Sequence, residues 1–181
     1  MKSYSPIRVY RHPADLPVHS LGLPRNPAIP ANANPGYFDL GVCGPLRTDL
    51  SGRAEYCGLF RTPSLRNVAT RQSFFHNGVF HILNDAVAFY ATRDTDPARW
   101  YPKLPGGSVD KFNDLPRRYQ GNVNKDPPFG GVPGGKPALS QQEIDDIVAF
   151  LGTLTDGWLP SGSRAQPTSA GGEITGTAEA R

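Results

Sequence analysis

The sequence has few cysteines, no long apolar run and no cluster of basic residues. Its two cysteines, Cys43 and Cys57, are too few for a disulfide-rich scaffold and lie too far apart for a zinc site. No stretch of about 18 apolar residues is present, which excludes a transmembrane helix. The 19 Lys and Arg residues form no run and do not alternate with aromatic residues, so the net charge of +3 does not indicate nucleic-acid binding.

The first residues also lack the apolar segment of a secretory signal. The stretch MKSYSPIRVYRHPADLP is broken by charges and prolines, whereas a signal peptide needs a continuous apolar region of about 7–15 residues. We therefore expect no signal peptide in this chain, which as written would stay in the cytoplasm.

Apolar residues are scarce, and Gly and Pro are abundant. Only 38% of the residues are apolar, against about 45–50% in an ordinary globular domain. The 20 Gly and 19 Pro make up about a fifth of the chain, where roughly 12% is usual. The chain can therefore bury only a modest core. We expect long loops around it, with a prosthetic group or a separate partner segment filling the remaining space.

The chain divides into three parts. Residues 1–58 read as an extended, turn-rich arm, which we expect to pack poorly without a neighbouring segment, and residues 37–40 within it are typical of a short strand. Residues 59–157 carry the helical patterns, and the small, polar residues 158–181 predict a disordered tail. The arm is interrupted by Pro6, Pro13, Pro17, Pro24, Pro27, Pro30, Pro35 and Pro45.

Three segments have helical patterns, and a long loop lies between the second and the third. Residues 62–68 carry Pro63 at a first helical position, where its missing N–H has no cost. In residues 82–92 apolar side chains recur on one face at Leu83, Val87 and Tyr90. Residues 93–138 are dense in Pro and Gly and predict a loop, which at this length is functional or disordered.

The third helix is the clearest element of the sequence. Ser140 and Glu143 form a capping box, and we expect the helix to stop near Gly157. Apolar residues recur along one face with the 3.6-residue period: Ile144, Ile147, Val148, Leu151 and Leu154.

Four ordered blocks resemble the C-terminal portion of the bacterial di-haem cytochrome c peroxidase and MauG-like family. They are FRTPSLRNVA at 60–69, FFHNG at 74–78, LNDAVAFY at 83–90 and LSQQEIDDIVAFLGTLT at 139–155. The resemblance covers about residues 16–156. It implies a mainly α, partial cytochrome c-like haem domain with few helices and long Pro/Gly-rich loops, and an H₂O₂-dependent, electron-transferring peroxidase in the periplasm.

The resemblance also implies a haem ligand. Tyr90 stands where the family commonly has a Met as distal ligand of one haem, and this departure points to the MauG-like subgroup. A phenolate is a hard anionic donor that favours ferric and more oxidised iron. From the residues alone, a Tyr on an apolar stripe is a core side chain whose hydroxyl finds an acceptor. Tyr101 is the second choice if the alignment is shifted.

Further roles are implied by the same resemblance. His76 would orient its turn or bond a propionate or a carbonyl rather than bind iron. Arg66 would pair with a haem propionate, the alternative being an intrachain salt bridge. The backbone carbonyls of Arg71 and Ser73 align with a Ca²⁺ site of the family, although Arg71-Gln72-Ser73 departs from its usual T-A-P.

Cys43 and Cys57 have two open interpretations. In an oxidising compartment a disulfide between them would close a loop of roughly 15 residues and stabilise the fold by about 3 kcal/mol. Alternatively, they are two small buried thiols.

The chain lacks the motif that attaches a c-type haem. That attachment needs Cys-x-x-Cys-His, which is absent. In the family it lies about ten residues before the segment resembled by VHSLGLP at 18–24, and residues 4–8 at that position contain no Cys or His.

Three interpretations follow. The chain is a fragment of a longer peroxidase or MauG-like oxidase, or a haem-free interaction module, or an inactive relic. We expect this chain alone to be inactive. In the first case it needs haem c from an N-terminal half or a separate subunit, together with a redox partner protein.

Overall fold

The structure is a computed structural model that describes residues 18–157. Residues 1–17, which include the position of the absent haem-attachment motif, lie outside the described part. The tail from residue 158, for which the sequence predicts disorder, also lies outside it. The fold below therefore concerns one continuous stretch of the chain.

Helices are few, and most of the described backbone lies in turns and irregular segments. Three α-helices are formed: α1 at Leu83–Thr92, α2 at Pro97–Trp100 and α3 at Gln141–Thr153. Helix α2 lies within the predicted loop 93–138. Short 3₁₀ turns add to them at Pro30–Ala33, Ala54–Tyr56, Val68–Thr70 and Arg117–Asn122. The expected few helices and long loops are present, but helix does not dominate as "mainly α" implies.

Helix α3 confirms its sequence pattern. The Ser140 Oγ accepts a hydrogen bond from the Glu143 N–H, and the Glu143 carboxylate accepts one from the Ser140 N–H. Ile144 and Leu151 are buried on the predicted face, whereas Phe150, outside that face, is 59% exposed. The helix ends at Thr153, before the predicted stop at Gly157.

Helix α1 is buried on more sides than its pattern predicts. Leu83, Val87 and Tyr90, the predicted core face, are only half-buried. The fully buried positions are Phe89, at 0% exposure, and three small residues on neighbouring faces, Ala86, Ala88 and Ala91. Ala88 and Ala91 pack against Ile144 of α3, so small side chains let the two helices approach closely.

The prediction of a helix at 62–68 is wrong. Within that segment Asn67 has a left-handed backbone (φ 56°), and only a 3₁₀ turn at Val68–Thr70 follows it. The Asn67 N–H donates to the Leu154 carbonyl, and the Asn67 Oδ1 accepts from the Asp156 N–H. Hydrogen bonds to the end of α3 therefore replace the local helical bonds that the pattern predicts.

The arm is attached to the rest of the fold. Strand β1 at Val18–His19 pairs antiparallel with β2 at Phe60–Arg61, while the predicted strand at 37–40 does not form. Leu23, at 2% exposure, packs against Phe89 and Tyr101. Contrary to the sequence expectation, residues 18–58 contribute to the core, because their few apolar side chains pack beside α1.

Candidate functional site

Aromatic rings surround the C-terminal half of α1. Phe89 is in edge contact with Trp100 at 5.7 Å between ring centroids and with Phe75 at the same distance. On the next residue of the helix, the Tyr90 ring contacts Phe75 at 5.7 Å and stacks on Phe129 at 5.4 Å with an interplanar angle of 28°. Tyr90 therefore lies in an apolar cage built from α1 and two loops.

The hydroxyl of Tyr90 is bare. It makes no hydrogen bond to any residue of the described part of the chain, although burial raises the pKa of Tyr90 and keeps the phenol neutral. Tyr90 is half-buried, and its hydroxyl reaches solvent rather than being enclosed by the described residues. An accessible phenol oxygen without a protein partner fits an oxygen ligand of a haem iron, whose charge would lower the phenol pKa.

Tyr101, the second choice from the sequence, is engaged differently. It is 3% exposed, and its hydroxyl donates a hydrogen bond to the Gly22 carbonyl. Burial raises the pKa of Tyr101 far above its ordinary value. Because this hydroxyl already has a partner and lies within the core, Tyr101 serves as a link between the arm and α2.

A buried ionic cluster lies one turn beyond Tyr90, and the sequence analysis did not identify it. Arg93 is 1% exposed, and its guanidinium donates to both carboxylate oxygens of Asp94, at 3.2 and 2.7 Å, and to the carbonyls of Leu21 and Asn124. Asp94 accepts two further bonds, from Lys111 and from the Gly130 N–H. Every polar atom of the cluster therefore has a partner.

Hydrogen bonding determines the charge state of Asp94. Burial by itself would raise its pKa. Hydrogen bonds from Arg93, Lys111 and the Gly130 N–H, together with the Arg93 charge, outweigh that effect and lower the pKa to about 2. The sequence signal for this cluster is an adjacent Arg-Asp pair at the end of an apolar helix, which by itself is a common surface pattern.

His76 lies in a second polar network. Its ring stacks on Phe60 with 3.4 Å between the ring centroids, and its Nε2 is 3.4 Å from the Asp114 Oδ2. Asn77 donates to the same carboxylate oxygen and to the Pro24 carbonyl. The expected role of His76 in orienting the turn stays a prediction. The expected propionate or carbonyl contact stays a prediction.

Arg66, Arg71 and Ser73 lie on the surface. Arg66 pairs with Asp156 next to the end of α3, which is the intrachain salt bridge that the sequence left open. Arg71 donates to the Ser64 carbonyl. The carbonyl oxygens of Arg71 and Ser73 accept no hydrogen bond from the described residues, and their Ca²⁺ role stays a prediction.

Cys43 and Cys57 form a disulfide with their Cα atoms 4.7 Å apart. Both residues are buried, and the bond closes the loop of the arm that precedes β2. Of the two interpretations that the sequence left open, the disulfide is therefore the one present in the structure.

Residues 18–157 form neither a metal-ligand cluster nor a membrane-spanning helix. No group of three or more His, Cys, Asp or Glu residues in this range is arranged to hold a metal ion. None of the helices there has the length and apolarity needed to cross a bilayer.

Comparison with known proteins identifies relatives of one kind. No family model matches the chain. The methylamine utilization protein MauG of Paracoccus denitrificans is 30% identical over 155 residues, covering 76% of this chain and 33% of that protein. The chain thus spans about a third of the length of the curated relative that it matches.

Solved structures agree with this result. The crystal structure of the diheme peroxidase BthA from Burkholderia thailandensis is 46% identical, with a TM-score of 0.68, and covers 83% of this chain and 37% of that one. A variant of BthA with one Tyr replaced by Met gives a TM-score of 0.69 at the same identity and coverage. In sequence and in fold, this chain corresponds to a segment of the di-haem cytochrome c peroxidase and MauG-like family.

Proposed function

We propose that this chain forms one side of a haem site in an H₂O₂-dependent di-haem oxidoreductase, in which Tyr90 would supply an oxygen ligand to the iron. The observation that carries the proposal is the Tyr90 hydroxyl, which has no hydrogen-bond partner among the described residues and is open to solvent, on a ring that packs against Phe75 and Phe129. The similarity to a diheme peroxidase at 46% identity supports the same class of chemistry.

The bound haem would supply a redox-active iron that exchanges electrons with peroxide and with a second haem. The chain's own residues perform the other tasks. Tyr90 presents its oxygen from helix α1, while Phe129 stacks on its ring and Phe75 packs against it at a tilt. Because an anionic oxygen stabilises ferric iron, this haem would resist reduction more than a Met-ligated one.

The haem and its proximal histidine must come from elsewhere. The sequence has no Cys-x-x-Cys-His, so the proposal requires a haem-bearing segment, either on the same polypeptide or as a separate subunit. It also requires a redox partner protein and a periplasmic location, where c-type haem is attached and the Cys43–Cys57 disulfide persists. With Tyr in the Met position, oxidation of a protein substrate is the second candidate reaction besides peroxide reduction.

The test uses a c-type haem peptide, a short Cys-x-x-Cys-His segment with covalently attached haem and one axial histidine. We expect the ferric peptide to bind the purified 181-residue chain with a saturable shift of the Soret band and a phenolate-to-iron charge-transfer band. Tyr90→Phe should abolish that band, and Tyr90→Met should replace it with the low-spin spectrum of His/Met ligation. Tyr119→Phe, at another half-buried tyrosine, is the matched control.

The outcomes separate the alternatives. Equal binding by the wild type and Tyr90→Phe would contradict ligation by Tyr90. No binding by the wild-type chain would favour the other function class, a haem-free interaction module.

A further inference from the structure

Phe129 contacts both a phenol and a guanidinium. Its ring stacks on Tyr90 at 5.4 Å, and the Arg93 Cζ lies 3.7 Å from its centroid. The Phe129 side chain is almost fully buried, with the residue 8% exposed. A cation attracts the face of an aromatic ring, so this contact holds Phe129 against the buried Arg93 guanidinium.

The segment that carries Phe129 is attached at both ends to the same ionic pair. The Arg93 Nη2 donates to the Asn124 carbonyl at 2.8 Å, and the Asp94 Oδ2 accepts from the Gly130 N–H at 2.9 Å. Between these attachments the backbone turns tightly: Gly130 has φ +85°, and a Cβ there would lie 2.6 Å from the Lys125 carbonyl oxygen. Segment 124–130 is therefore a short closed loop, and Arg93 and Asp94 hold its two ends.

From this arrangement we propose that Arg93 and Asp94 are positioning residues that hold Phe129 against Tyr90 and thereby fix the direction of the phenol oxygen. The inference rests on the proposed function, in which that oxygen is the iron ligand. Arg93 and Asp94 make no hydrogen bond, ion pair or cation–π contact with Tyr90 in the described part of the chain, so they act through Phe129. Ligation of iron by Tyr90 does not by itself require a buried Arg93–Asp94 pair. Holding the two ends of segment 124–130 gives this pair a role.

The same cluster connects segment 124–130 to two other parts of the chain. Arg93 donates to Leu21 in the arm, and Lys111 reaches Asp94 from the loop after α2. Because Arg93 directly follows the last residue of α1, these bonds hold the helix end that carries Tyr90. The arrangement is that of an outer shell supporting a metal ligand, in which the supporting residues fix the orientation of the donor.

The first measurement is made on the unloaded 181-residue chain. With ¹³C-labelled tyrosine rings, NMR reports the chemical shift and flip rate of the Tyr90 ring, which Tyr90→Phe assigns by its loss. We expect Asp94→Asn and Phe129→Leu each to move the Tyr90 signal and to raise the flip rate. Two controls should change neither: Phe38→Leu, which alters a ring facing a different arginine, Arg25, and Asp85→Asn, which removes an ion pair elsewhere on α1.

The second measurement is binding of the haem peptide. We expect Asp94→Asn and Phe129→Leu to weaken its affinity about 10-fold, the lower end of what losing an outer-shell partner of a metal ligand costs. The same two controls should bind like the wild type.

The result that overturns the inference is a folded Asp94→Asn variant with wild-type Tyr90 signals and wild-type affinity. If Asp94→Asn does not fold, Lys111→Met takes its place, because it removes one of the donors to Asp94 from a side chain that is 29% exposed. A folded Lys111→Met variant with wild-type Tyr90 signals and wild-type affinity would then overturn the inference. A moved Tyr90 signal with weaker affinity would support it. If the haem peptide does not bind through Tyr90 at all, the proposed function fails, while the NMR measurement still decides whether Asp94 positions Phe129 against Tyr90.

Discussion

The hydroxyl of Tyr101 donates a hydrogen bond to the carbonyl oxygen of Gly22, which lies 79 residues earlier in the chain. Tyr90 belongs to the same group of packed aromatic residues around α1 but has no such partner among the described residues. One tyrosine therefore links the arm to the helical core, and the other keeps its oxygen available.

The two tyrosines should respond differently to loss of the hydroxyl. We expect Tyr101→Phe to lower the free energy of unfolding by about 1–3 kcal/mol, because it leaves the Gly22 carbonyl without its partner in the core. Tyr90→Phe should change it by less than about 0.5 kcal/mol, because no bond is lost. Urea unfolding of the three proteins measures both effects. An equal loss in both variants would contradict the distinction.

Stability in acid should depend on Asp94. Its pKa is lowered to about 2 in the folded chain, from an ordinary value of 3.8. A lowered folded-state pKa stabilises the protein above the unfolded-state value, and this contribution is lost as the pH falls from about 4 through 2. The shift corresponds to about 2 kcal/mol.

Denaturant unfolding between about pH 5 and pH 2 measures this contribution. Asp94→Asn should be less stable than the wild type at the upper end, and the difference should shrink towards the lower end. Parallel curves for the two proteins would count against the assigned pKa.

The disulfide should contribute to the stability of the arm. Replacing both Cys43 and Cys57 with Ala should lower the free energy of unfolding by about 3 kcal/mol, because the unfolded chain regains the freedom of a loop of about 15 residues. A reductant should destabilise the wild type by a similar amount and leave the double variant unchanged. Sensitivity of the double variant to the reductant would argue against this cause.

The purified chain should carry no haem of its own. Without Cys-x-x-Cys-His it has no site for thioether attachment, so we expect no Soret band, no covalent haem in the pyridine haemochrome assay and no peroxidase activity. A covalent haem on the 181-residue protein would overturn this expectation. Fusion to a haem-bearing segment is the complementary experiment and should restore the Soret band.

Local patterns in the sequence predicted two helices well. Helix α3 follows from the Ser140 capping box and from an apolar stripe of the right period, both of which act within a few residues. Helix α1 begins and ends within one residue of its predicted bounds. In contrast, the predicted helix at 62–68 failed because Asn67 bonds to the end of α3, a segment that no local pattern connects to it.

The candidate site was only partly visible in the sequence. The resemblance drew attention to Tyr90, but the pattern placed it on the core face of α1 and did not distinguish its oxygen from that of Tyr101. Phe129 could not be found, because it lies in a Gly- and Pro-rich loop and reaches Tyr90 only through the folded chain.

The sequence by itself determined the family, the two longer helices and the absence of a haem-attachment motif, because each depends on residues that are close together in the chain. Only the tertiary structure decided which tyrosine keeps a bare hydroxyl and which charges are buried beside it. Those properties depend on side chains far apart in the chain: Leu21, Asn124 and Gly130 supply the backbone groups that bind Arg93 and Asp94. Burial makes these bonds strong, and burial is a property of the whole fold.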